Sequence, residues 1–169
     1  MEIIVVDEET IPEFWVLRLK ALLESPEAFG RSYSEESAKP FAEVFEHFKI
    51  RLKEPGNIIL AAEENNKLVG IVGLSRQQGA KDNHKSYIWG MWVEPEFRGL
   101  GFGKLLMLEA INQARLMPGV EMIQLTVVTT RKEARNLYSS LGFVQYGLEL
   151  RALKTGSQYW DEDLMVLFL

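Results

Sequence analysis

The sequence predicts a mixed α/β fold, in which a central, mostly antiparallel sheet of about seven strands carries helices on both faces. Three observations predict it. Apolar stripes at helical spacing recur along the chain, each one buried helix face. Between them lie short apolar or alternating runs bounded by turn residues, which read as strands. The run at 88–93 is almost continuously apolar, as a central strand covered on both faces requires.

Taken in order, residues 2–6 form a short apolar strand. Thr10 is placed to cap a helix running to about Glu24, with Pro12 tolerated in its first turn and Phe14, Leu17 and Ala21 on its buried face. Residues 25–40 are rich in Ser, Pro and Gly yet include Phe29 and Tyr33. Two aromatics in such a segment indicate an ordered loop, either lying over a cleft or pinned to the core. Phe41, Val44, Phe45, Phe48 and Leu52 define the clearest amphipathic helix, with His47 on its polar side. Pro55 and Gly56 end it.

Residues 58–63 and 67–75 read as strands joined by a tight turn at Asn65 and Asn66. A second reversal at 77–83 leads into the strand 84–93. A helix from about Gly101 carries Met107, Ala110, Ile111 and Ala114 on one face and stops near Pro118 and Gly119. Residues 120–128 read as a strand parallel to 84–93, because a crossover helix separates the two. Thr130 and Glu133 have capping-box spacing before the stripe Ala134, Leu137, Tyr138 and Leu141, which Gly142 terminates. Two final strands cover 143–153 and 159–169.

Composition narrows the function. The 169 residues suit one domain with a sizeable core, and 47% hydrophobic with 11% aromatic content indicates a folded chain. The expectation is a single domain over 1–169. A net charge of −5 argues against a general nucleic-acid surface. The absence of Cys rules out disulfides, thiolate metal sites and a cysteine nucleophile, and the two His, His47 and His84, are too few for a His-based metal site. With no membrane-length apolar run and no signal-like N-terminus, a cytoplasmic enzyme without a metal and without a membrane partner is expected.

The stretch 89–114, WGMWVEPEFRGLGFGKLLMLEAINQA, holds the main functional signal. A glycine-rich turn between a strand and a helix N-terminus offers unpaired N–H groups and the positive end of the helix dipole, which is an anion site. The nucleotide-triphosphate loop fails here, because Arg98 stands where its first Gly belongs and Leu105 where Ser or Thr belongs. The dinucleotide fingerprint fails because Lys104 replaces its third Gly. Arg98, Gly101 and Gly103 do satisfy R-x-x-G-x-G. This resembles the pyrophosphate-binding motif of the GNAT superfamily of N-acetyltransferases. One strand downstream, Ala134 to Phe143 (ARNLYSSLGF) matches every fixed position of the second GNAT signature, A-x-x-L-Y-x-x-x-G-F. The resemblance covers essentially the whole chain.

The resemblance implies the GNAT fold, with the sheet splayed between the strands that flank the glycine-loop helix. It implies acetyl-coenzyme A as co-substrate and direct transfer of acetyl to a primary amine, on a small molecule or a peptide, in a ternary complex. The backbone of Arg98, Gly99, Leu100, Gly101, Phe102, Gly103 and Lys104 would hold the pyrophosphate. Met91, Trp92 and Val93 would pair with the pantetheine arm, and an N–H near Met91 or Trp92 would polarise the acetyl carbonyl. Tyr138 matches the general acid for the departing thiolate, and an unperturbed Tyr is indeed protonated at neutral pH. Arg131 stands where the family often has Asn; it either binds a phosphate oxygen or is a solvated residue of the first helical turn.

The amine must lose a proton before it attacks, and residues 88–93 contain no carboxylate to take it. Glu36, His84 or a water chain are the candidate bases. Phe29, Tyr33, Glu36 and Trp89 are candidate acceptor-pocket residues, suited to an amine with a hydrophobic part. The alternative function is a non-catalytic acyl-coenzyme A sensor on the same fold, against which the retained Tyr138 argues. The acceptor's identity and a monomeric or homodimeric state are left open.

Overall fold

The computed structural model describes residues 2–169. One seven-stranded sheet contains β1 (Glu2–Val5), β2 (Asn57–Glu64), β3 (Lys67–Arg76), β4 (Lys85–Val93), β5 (Met122–Val128), β6 (Val144–Thr155) and β7 (Gln158–Phe168). Their spatial order is β1-β2-β3-β4-β5-β7-β6. Every neighbouring pair is antiparallel except β4 and β5. Five α-helices flank the sheet: α1 (Ile11–Glu24), α2 (Tyr33–Ser37), α3 (Phe41–Lys53), α4 (Phe102–Leu116) and α5 (Lys132–Ser140). Strand β4 is central, as its apolar run predicts.

Two cores lie on opposite faces. On one, Leu106, Met107, Ala110 and Ala114 of α4 pack with Leu60, Val69, Val72, Ile123 and Leu125, and Tyr138 and Phe143 extend this core at the α5 end. On the other, Ile11, Phe14 and Leu17 of α1 and Val44 and Phe48 of α3 pack with Ile59, Ala61, Leu68 and Ile71. Successive strand residues therefore alternate between the two cores, as the pleat requires.

Turn chemistry explains most boundaries. Asn65 and Asn66 have φ of 52° and 58°, the pair of positive values that a two-residue hairpin matching the strand twist needs. Helix α5 ends in a Schellman motif: the Phe143 N–H donates to the Tyr138 carbonyl (3.1 Å) and the Gly142 N–H to that of Ser139 (3.1 Å). The Phe143 ring then lies 6.1 Å from the Tyr138 ring. The signature Y-x-x-x-G-F is thus a helix stop whose two aromatics meet in one core.

Two expected caps take another form. Thr10 directs its hydroxyl back to Asp7, accepting from the Asp7 N–H at 2.8 Å and donating to Asp7 Oδ1 at 2.8 Å, so it makes no side-chain cap to α1. Thr130 and Glu133 form no capping box, because α5 begins at Lys132 and its N-cap position is Arg131. The capping box that does form is Ser32 with Glu35, on α2. The segment 25–40 is accordingly ordered, as its aromatics predict, by α2 and a 3₁₀ turn over Pro26–Ala28.

Candidate functional site

The site arises where the sheet splits. Strands β4 and β5 pair only at Lys85 with Met122, Ser86 with Ile123 and Tyr87 with Gln124. Beyond Tyr87 they diverge, and a cavity of about 830 Å³ opens between them. The far half of β4 also changes its pairing with β3. Gly73 is opposite Trp89 and Ile71 opposite Trp92, so β4 carries one extra residue there. Gly90, at φ 67°, forms this bulge. Its effect is visible in the packing, since Ile88, Met91 and Val93 all turn to the α4 core while Trp89 and Trp92 turn to the α1 core. The bulge takes Gly90 and Met91 out of register with β3, and both residues border the split.

The glycine loop borders the α4 side. Gly99, Gly101, Gly103 and Lys104 line the cavity. Gly101 is the N-cap of α4 at φ 94°, and a Cβ there, or at Gly99, would meet no atom within 4 Å. Gly103 has a different role: a Cβ would come within 3.1 Å of Met91 Cε, so this glycine lets α4 approach β4. Arg98 pins the loop by donating from Nε to the Val93 carbonyl at 2.9 Å, and its guanidinium lies 5.7 Å from the Trp92 ring. The first-turn N–H groups of α4 have no partner within the helix, and Gly101, Gly103 and Lys104 border this open space. The loop therefore fits a phosphate-bearing group, with Lys104 beside it.

Met91, Trp92 and Val93 line the cavity with the loop. Leu100 and Phe102 do not: Leu100 is 61% exposed, and Phe102 packs in the core with its ring 5.5 Å from that of Phe97. Arg131 lines the cavity and is ion-paired with Glu27 of the 3₁₀ turn, joining the segment before α2 to the turn before α5.

Of the acceptor-side candidates, Phe29 and Trp89 line the cavity. Trp89 is engaged on one ring face by the Arg51 guanidinium at 4.9 Å, and its indole N–H donates to Ser75 Oγ at 2.9 Å. Tyr33, Glu36 and His84 do not line the cavity. Tyr33 is 38% exposed on α2, and Glu36 is paired with Lys39 at 2.7 Å. His84 precedes β4 at the paired end of the split, where its carbonyl accepts from the Glu121 N–H at 2.8 Å.

Tyr138 lines the cavity from the α4 side and is 6% exposed. Burial, reinforced by Tyr87, pushes its hydroxyl well above the usual tyrosine range, so it holds its proton at any neutral pH. On the α1 side stands a polar array absent from the sequence reading. Thr126 donates to Glu162 Oε1 at 3.3 Å, and Thr126 Oγ1 lies 3.0 Å from the Tyr87 hydroxyl. With Thr126 donating to the carboxylate, Tyr87 is the donor to Thr126. Burial raises the Glu162 carboxyl above its ordinary value; the Thr126 hydrogen bond opposes this and Glu149 adds to it. Tyr87 sits at the apex of the split and Glu162 lies opposite Val128, at the open end. Nothing in strand periodicity signals Glu162, since its placement depends on β7 inserting between β5 and β6.

The acetyltransferase (GNAT) family model matches residues 20–143. N-alpha-acetyltransferase RimI of Mycobacterium tuberculosis is 34% identical over 104 residues, which is 62% of this chain and 63% of that protein. The chain spans 53% and 63% of the first two curated relatives it matches. Among solved structures, an acetyltransferase of the GNAT family from Streptococcus pneumoniae superposes with a TM-score of 0.89 at 23% identity, covering 99% of both chains. The protein yncA from Salmonella typhimurium, solved with its cofactor acetyl-CoA, superposes with a TM-score of 0.85 at 18% identity, over 99% of this chain and 93% of that one.

Proposed function

The chain belongs to the acetyltransferase (GNAT) family, and we propose that it moves an acetyl group from acetyl-coenzyme A to a primary amine by direct transfer. The observation that carries this reading is the split between β4 and β5, with an open glycine loop on one face and a carboxylate array on the other. Acetyl-coenzyme A supplies an activated acyl carbon and a thiolate leaving group. The residues of the split then divide the work.

The α4 N-terminus and Lys104 hold the pyrophosphate. The unpaired edge of β4 at 91–93 offers main-chain groups to the pantetheine amides, as a sheet edge does to an added strand. The N–H of Met91, beside the Gly90 bulge, donates to the acetyl carbonyl oxygen and stabilises charge developing there. Glu162, in place of Glu36 or His84, accepts the proton that the ammonium must lose before nitrogen bonds to the acyl carbon; the second N–H proton, lost as the C–S bond breaks, passes to the departing thiolate to give the free thiol of coenzyme A. Its raised pKa moves it toward the amine's, which favours this transfer. Tyr138 donates a hydrogen bond to sulfur as the C–S bond breaks. A thiol is a stronger acid than an unperturbed Tyr, and burial weakens Tyr138 further, so the phenol stabilises the thiolate without surrendering its proton.

Thiol release over a panel of amines tests this reading, together with melting in coenzyme A, acetyl-coenzyme A and ATP. Coenzyme A stabilisation with amine-dependent thiol release is the expected result. Stabilisation by ATP but not coenzyme A removes the reading. Stabilisation by coenzyme A with no release from any amine points to the acyl-coenzyme A sensor.

A further inference from the structure

Helix α1 carries a charge where its spacing calls for an apolar residue. Arg18 lies four residues after Phe14 and four before Leu22, both of which are 0% exposed. It therefore sits on the buried stripe, where its side chain reaches the cavity. The guanidinium stacks on Phe29 at 4.8 Å. Its Nη1 is sealed from solvent, has no hydrogen-bond partner among the described residues, and lies 3.4 Å from the position of a Cβ on Gly90. Glu36 supplies some electrostatic compensation, but its carboxylate is hydrogen-bonded to Lys39.

A sheltered guanidinium N–H without an acceptor is costly, and a small rotation of the Arg18 side chain into the cavity that it lines would let a ligand oxygen complete the bond. Arg18 reaches the cavity from α1, which packs in one core, whereas the glycine loop leads into Phe102 of the other, so the position disfavours the coenzyme phosphates as that ligand. It also opposes a polycationic acceptor, because the aromatic faces at Phe29 and Trp89 each already carry a guanidinium. We propose that Arg18 is a specificity-determining residue that binds a carboxylate of the acceptor, so that the acceptor is a compact amino acid whose amine and carboxylate are a few atoms apart. The short separation follows from Arg18 standing beside Gly90, next to the N–H assigned to the acetyl carbonyl. Phe29, which lines the cavity, then borders the apolar part of the acceptor. Burial lowers the Arg18 pKa to about 10, which still leaves it cationic at neutral pH and able to bind an anion. The inference rests on the transferase reading of the same cleft.

Matched acceptors test it: phenylalanine against phenethylamine, leucine against isoamylamine, and an amidated peptide with a free N-terminus. The wild-type protein is expected to favour each amino acid by at least tenfold in kcat/KM. Arg18→Gln should bring the ratio to about one, and Arg18→Lys should retain part of it. A wild-type ratio near one, a better rate with the amidated peptide, or an undiminished ratio in R18Q each overturns the inference while leaving the transferase reading intact. If no amine releases thiol, the transferase reading fails. Calorimetric titration of phenylalanine and phenethylamine into the coenzyme A-saturated protein then decides for Arg18. A tenfold tighter Kd for phenylalanine that R18Q abolishes supports it, and equal affinities, or no binding of either, overturn it. Should R18Q melt early, R18K carries the same comparison.

Discussion

At the residue scale, the proposed reaction rests on two side chains on opposite faces of the split. Tyr138 is buried and keeps its proton; Glu162 is half-buried and titrates above its ordinary value. Tyr138→Phe removes the donor to sulfur while preserving the ring against Phe143. It should lower kcat by ~10²-fold with little change in coenzyme A affinity, measured by steady-state thiol release. Glu162→Gln should abolish the acidic limb of the kcat/KM profile, which in the wild-type protein lies above the usual glutamate range. The same substitution has a stability signature whose sign follows from the shift. A carboxyl with a raised folded-state pKa contributes stability at low pH and loses it as pH rises through that pKa. The melting temperature of E162Q relative to wild type should therefore increase between pH 4 and pH 8. A difference that declines over that range contradicts the proposed environment of Glu162.

At the element scale, the junctions of β4 matter more than its length. The Gly90 bulge breaks the register with β3 at one point, and the uncapped start of α4 leaves first-turn N–H groups without a helical partner at another. Gly101→Ala tests the second junction. With φ at 94° and empty space around a Cβ, the cost is conformational, about 1–2 kcal/mol of stability by chemical denaturation. The methyl also occupies the space assigned to phosphate, so the coenzyme A Kd should rise at least tenfold. An unchanged Kd would move the phosphate site away from this loop. These elements differed in legibility. Glycine spacing and the Tyr138 signature were readable because each is a local rule: a turn, a helix start, a helix stop. The Gly90 bulge was also open to reading, since an isolated Gly in a strand is a bulge signal. So was Arg18, a charge on an apolar stripe. Glu162 and Thr126 were not, because their meeting depends on the β5–β7 register, a long-range pairing that no local pattern encodes. Glu36 and His84 looked suitable for the same reason, being judged by residue type without knowledge of which side chains reach the split.

At the scale of the whole molecule, the sheet is two blocks joined by a short parallel seam. Strands β1 to β4 carry α1 and α3, whereas β5, β7 and β6 form the other block, and the seam between β4 and β5 has three residue pairs. The Arg131–Glu27 ion pair is a second bridge, between loops on either side of the cavity. A ligand lying in the split touches both blocks, so it acts as the missing rungs of the ladder. Two measurements follow. At a hundredfold its Kd, coenzyme A should add ~2.7 kcal/mol of stability. For a chain of this size that amounts to roughly 5–10 °C in melting temperature. Hydrogen exchange should slow most at 88–93 and 125–128, where β4 and β5 lie apart, and least at 85–87, where they already pair. Protection spread evenly over the sheet, or confined to the α4 N-terminus, would mean that the ligand binds the loop without entering the split. The split would then serve the acceptor alone, and the acetyl carbonyl could not meet the Met91 N–H.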